Sequence, residues 1–103
     1  MEREFIKKIY VNGDSELVLI LENDGKPEYQ YVYRGAAGVY WDQEVKGFKS
    51  TPMKELSCSG WFTQIIEVVK SELGVELFLS PSSSWHEIPT EEIEKIRQTY
   101  DVK

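Results

Sequence analysis

Phe5-Ile6-Lys7-Lys8-Ile9-Tyr10-Val11-Asn12-Gly13-Asp14-Ser15-Glu16-Leu17-Val18-Leu19-Ile20-Leu21 is the stretch whose reading decides the fold. Its first seven residues are rich in aromatic and β-branched side chains, which suit a pleated, half-buried surface. Asn12-Gly13 follows, a dipeptide that tolerates the positive φ angles of a tight hairpin turn. Leu17 to Leu21 is apolar at every position, the pattern of a central strand covered on both faces. The segment therefore predicts two antiparallel strands at the start of a β-meander.

Downstream, Asn23-Asp24-Gly25-Lys26-Pro27 signals a second turn. In Tyr29-Gln30-Tyr31-Val32-Tyr33-Arg34 the three tyrosines alternate, which predicts a third strand with Tyr29, Tyr31 and Tyr33 on one face. Gly35-Ala36-Ala37-Gly38 interrupts it. Val39-Tyr40-Trp41 resumes extended structure, read as a fourth strand rather than as strand three continued through a bulge. Residues 42–56 are polar and aperiodic, and read as a loop.

A helix is expected from near Ser59, because Trp61, Phe62, Ile65, Ile66, Val69 and Leu73 form one face at the 3.6-residue period. Ser57 or Ser59 can cap its start, and Gly74 stands where a left-handed C-cap belongs. Val75–Leu79 predicts a short strand, so that the helix crosses back to the sheet. Ser80–Ser84 reads as a loop, with a brief extended piece at 85–88. Thr90 would cap a last helix marked by Ile93, Ile96 and Tyr100, with Glu91 and Glu92 at its positive end. The expectation is one α+β domain over residues 1–103: a mainly antiparallel sheet of four or five strands with two helices on one face, in the order β-β-β-β-α-β-α.

The chain has 103 residues, 41% hydrophobic and 13% aromatic, a composition that folds around one core. Its net charge of −6, without a basic stripe, disfavours nucleic acid and anionic membranes as partners. A single cysteine excludes an internal disulfide. Without an apolar export signal at the N-terminus, it points to a reducing cytoplasmic setting. No apolar run is long enough to span a bilayer.

Chemistry-bearing motifs are sparse. Cys58 stands at the expected helix start, where backbone N–H groups lower a thiol's pKa, and His86 is the one imidazole able to serve as its base. Glu87 or Asp42 could orient that imidazole. The competing reading is a small buried cysteine and a surface histidine, and it is favoured. Ser57, Ser59 and Gly60 offer a phosphate the same helix start, but no Lys or Arg stands with them and capping explains them. One His and one Cys leave no metal-ligand spacing, and no cofactor is implied.

The aromatics are the most informative feature. Tyr29, Tyr31, Tyr33, Tyr40 and Trp41, with Trp85 closing over them, suit an interface or a pocket wall, because a tyrosine tip is polar. Stacking of single-stranded nucleic acid would need more cations beside the rings than Arg34. The reading that follows is a non-catalytic binding module that self-associates as a homodimer through an aromatic sheet face, with room for a small-molecule pocket or a different protein partner. Two alternatives stand beside it. One is an immunity-type inhibitor presenting Glu91, Glu92, Glu94 and Asp101 to a basic toxin. The other is a small enzyme using Cys58 with His86. Size, acidity and aromatic content give the chain the look of a small orphan bacterial protein, such as a mobile-element or phage accessory product, and no site is carried over from that likeness.

Overall fold

The computed structural model describes residues 2–54 and 57–100. Five strands form one sheet: β1 (Glu2–Val11), β2 (Leu17–Leu21), β3 (Val39–Asp42), β4 (Gly47–Ser50) and β5 (Val75–His86), in the spatial order β3-β4-β2-β1-β5. Two α-helices accompany them, α1 (Cys58–Leu73) and α2 (Thr90–Thr99). The α+β class, the five strands and the element order agree with the sequence reading. Pairing is antiparallel except between β1 and β5, which run parallel. That parallel edge follows from the crossover: β4 and β5 point the same way, and α1 bridges them above β2 and β1.

The apolar run Leu17–Leu21 becomes the middle strand. Leu17, Leu19 and Leu21 join a core with Ile6, Ile9, Phe48, Phe62, Ile65, Val69 and Ile96, contributed by strands and by both helices. Full burial of each such side chain contributes about 1.5–3 kcal/mol. Helix α1 ends as read, with Gly74 at φ 67° and its N–H on the Lys70 carbonyl. Its N-cap is Ser57, whose hydroxyl accepts from the Gly60 N–H at 3.2 Å. In α2 the expected cap fails: Thr90 is the first helical residue, Pro89 precedes it, and no side chain caps the turn.

Three further local expectations are corrected. Residues Pro27–Gly35 form a nine-residue 3₁₀ helix and not a strand. Tyr29 and Val32, three apart, are fully buried against the core, while Tyr31 and Tyr33 are 41% and 52% exposed. Side chains three apart eclipse in a 3₁₀ helix, so burial follows that period and the tyrosine alternation has no structural role. Within the stretch read as a loop, Gly47–Ser50 is strand β4. It pairs with both β2 and β3, and Gly47 is obligatory there: a Cβ would stand 2.5 Å from the Leu19 carbonyl oxygen. The Asn12-Gly13 turn is not a two-residue turn. Val11 pairs with Leu17, Ser15 carries the positive φ, and the Asn12 side chain accepts from the N–H groups of Asp14 and Glu16.

Strand β5 runs on through the serine segment. Ile6 pairs with Leu79 and Lys8 with Ser84, so Ser80–Ser83 bulge opposite Lys7. Ser83 Oγ closes the bulge by donating to the Ile6 carbonyl and accepting from Ser80 N–H.

Candidate functional site

The registers place two adjacent rows of side chains across all five strands. One row runs Trp85–Ile9–Leu19–Phe48–Trp41 and the next His86–Tyr10–Val18–Lys49–Tyr40. Side chains alternate along a strand, so the rows occupy opposite faces. The first faces the helices. Trp41, Phe48 and Tyr29 form a ring cluster with centroids 4.9–5.6 Å apart, and Trp85 lies 6.5 Å from Phe62 of α1. No described helix covers the second row.

This uncovered face is apolar at its centre. Val18 is 1% exposed without belonging to the core cluster. Tyr10 and Ile20 are half-buried, and Tyr40 is 44% exposed. Lys8 lies over the Tyr10 ring at 4.9 Å. Lys49 is held by Asp42 at 3.1 Å and Glu16 at 3.8 Å. The hydrogen bond to Asp42 holds the Lys49 ammonium above its ordinary value. Burial pushes the Asp42 carboxyl up, but donors from Lys49 and from backbone N–H groups bring it below the usual range. The strands turn Arg3, Lys8 and Lys49 to this face against Asp42 and Glu76, with Glu16 at its rim. Glu22 also turns to this side, its carboxylate accepting from the Ser80 hydroxyl at 3.1 Å, so the face carries only a little of the acidic excess of a chain whose net charge is −6.

The six aromatic residues named from the sequence therefore fall in three settings. Tyr40 is on the uncovered face. Trp41, Trp85 and Tyr29 pack under the helices. Tyr31 and Tyr33 project from the 3₁₀ helix, with the Arg34 guanidinium 4.4 Å over the Tyr31 ring. Tyr29 does structural work: its hydroxyl donates to the buried Glu4 carboxylate at 2.6 Å, and Asn23 donates to the same group at 3.1 Å. Burial and that carboxylate push the Tyr29 phenol far up. A cleft of about 580 Å³ lies beside Trp41, lined by Asp24, Gly25, Lys26, Pro27, Gln30 and Gln43. Its charged rim is engaged within the chain, Lys26 with Glu2 and Asp24 with Lys46. Sequence reasoning missed Tyr10, Val18 and Lys49. Alternation with Ile9 and Leu19 could have found the first two, whereas Lys49 lay in a presumed loop.

Cys58 and His86 are not brought together. Cys58 is buried beneath the helical layer, and His86 sits in the row on the opposite face, paired with Tyr10. Burial and the Glu92 carboxylate push the Cys58 thiol up, the reverse of an activated nucleophile. The helix start is also occupied from within: Glu92 accepts from Ser59 N–H at 2.9 Å, and that bond lowers its carboxyl to about 2. Of the acidic residues on α2, Glu91 and Glu94 are exposed and Glu92 is engaged; Asp101 lies outside the described residues. Among the described residues no group of His, Cys, Asp and Glu could hold a metal ion, and no helix is long and apolar enough to cross a membrane.

The family model of integron cassette protein Hfx_Cass5 matches residues 7–83. A solved structure of Hfx_Cass5, from the mobile metagenome of the North West Arm Sewage Outfall, is 28% identical over 95% of both chains, with a TM-score of 0.44. No curated protein matches.

Proposed function

The chain belongs to the Hfx_Cass5 family of integron cassette proteins, and on that premise we propose that it is a non-catalytic interaction module that pairs with a second copy of itself through the uncovered face of its sheet. The observation that carries this reading is the row His86–Tyr10–Val18–Lys49–Tyr40, which crosses all five described strands and has no described helix above it. An apolar sheet face with large aromatic side chains is the kind of surface that hot spots use. Charge favours a like partner. Two copies with a net charge of −6 each repel, and contact is least opposed where the acidic excess is small. A twofold pairing brings the same patch of both copies together, so a patch with both signs complements itself.

Light scattering over a tenfold range of concentration tests this. Wild type is expected at twice the 12.0 kDa chain mass, and a Tyr10→Ser/Tyr40→Ser variant at a single chain mass with its fold intact. A wild type that stays monomeric throughout overturns the reading, as does a dimer that the double variant leaves unchanged.

A further inference from the structure

We propose that Lys49, held between Glu16 and Asp42, is the specificity-determining residue of the uncovered face, restricting it to one mode of contact; this rests on the pairing reading above. Lys49 stands in the row between Val18 of the middle strand and Tyr40 of the edge strand β3. Its ammonium lies 3.1 Å from Asp42 and 3.8 Å from Glu16, and the three side chains are only 28%, 26% and 18% exposed. The Asn12 amide fixes the far end by donating to Glu16 at 2.8 Å.

A half-exposed cluster of this kind adds little stability, since partly screened ion pairs contribute about 0–1 kcal/mol. Its effect is on what can be laid over it. Apolar contact is non-directional, so a sheet face bearing only Tyr10, Val18, Ile20 and Tyr40 would stick in many registers. An ammonium has three donors. A partner that covers Lys49 must leave it its carboxylates and supply acceptors for the two hydrogens that Asp42 does not take, or a charge is buried with donors unpaired. Most registers fail that condition. A second copy meets it where its own Asp42 or Glu16 comes opposite. Lysines pointing from sheet surfaces discourage indiscriminate sheet contact on the same physical ground.

Light scattering and sedimentation of Lys49→Met and Lys49→Arg read this out, with a urea midpoint to confirm folding. The Arg variant keeps the charge and is expected to match wild type. The Met variant is expected to become heterogeneous, its average mass rising with concentration beyond that of wild type. Lys49→Gln, neutral but polar, carries the same test if the Met variant does not fold. Identical masses for wild type and the neutral variants overturn the proposal, and so does an Arg variant that behaves like Met. The pairing reading fails separately: a monomeric wild type beside a self-associating Lys49→Met sinks the pairing and still leaves Lys49 as the residue that keeps the face from sticking.

Discussion

Trp85–Ile9–Leu19–Phe48–Trp41 and His86–Tyr10–Val18–Lys49–Tyr40 are neighbouring rows of one sheet, each residue of the second adjacent in sequence to one of the first. The first packs beneath α1 and the 3₁₀ helix. The second has Val18 at its centre, flanked by Tyr10 and Lys49, with Tyr40 beyond the lysine. Both contain aromatic rings, so aromatic content does not distinguish them. Coverage does. A ring under the helices is part of a close-packed interior, whereas a ring on the other face is a half-exposed surface that can be changed without opening a cavity.

Stability measurements can break this contrast. The largest effect is expected at Phe48, fully buried in the covered row between Leu19 and Trp41. Phe48→Ala should cost about 3–5 kcal/mol in urea unfolding. A loss below about 1 kcal/mol would mean that this face is not the core.

Tyr29→Phe is next. It removes the donor to the buried Glu4 carboxylate while keeping the ring in the Trp41–Phe48 cluster. Leaving a buried acceptor short of a partner should cost about 1–3 kcal/mol. An unchanged urea midpoint would show that Asn23 alone satisfies Glu4.

Glu92→Gln should cost about 1 kcal/mol at neutral pH, the loss of a charge-assisted bond to Ser59 N–H that ties α2 to α1. The folded carboxyl titrates near 2 against an ordinary 4.5. Its stabilisation is therefore complete above about pH 4.5 and fades as pH falls toward 2. Wild type and variant should converge over that interval, and a gap that persists at pH 2 would assign the effect to packing.

The smallest change in stability is expected on the uncovered row. Tyr40→Ala should move unfolding by no more than about 0.5 kcal/mol, while weakening self-association measurably in the same sample. A large loss of stability there would mean that the face is not free in the folded chain.

Much of the fold was legible. Helix α1 was readable because Phe62, Ile65, Ile66 and Val69 hold the helical period over about two turns, with Ser57 and Gly74 at its ends. The middle strand was readable because five consecutive apolar residues suit a buried strand. The 3₁₀ helix was not, because Tyr29–Arg34 carries two periods at once. Tyrosines recur every second residue, while Tyr29 and Val32 recur every third, and only burial shows which one the chain uses. Strand β4 was missed because four residues beginning with Gly47 have little strand propensity, and pairing on both sides makes the strand.

The candidate face was half legible. Tyr40 and Trp41 were both assigned to one aromatic face, and alternation requires that at most one of them lie on any given face.

Local periodicity and turn chemistry in the sequence determine the α+β class, helix α1 and the division of each strand into two sets of side chains, because these depend on neighbours a few residues away. Which set lies beneath the helices, and that Tyr10, Val18, Lys49 and Tyr40 from four strands align, was decided by the tertiary structure alone. Register and coverage depend on contacts such as Val18 with Lys49 and Phe62 with Trp85, between residues far apart in the chain, and no local pattern encodes them.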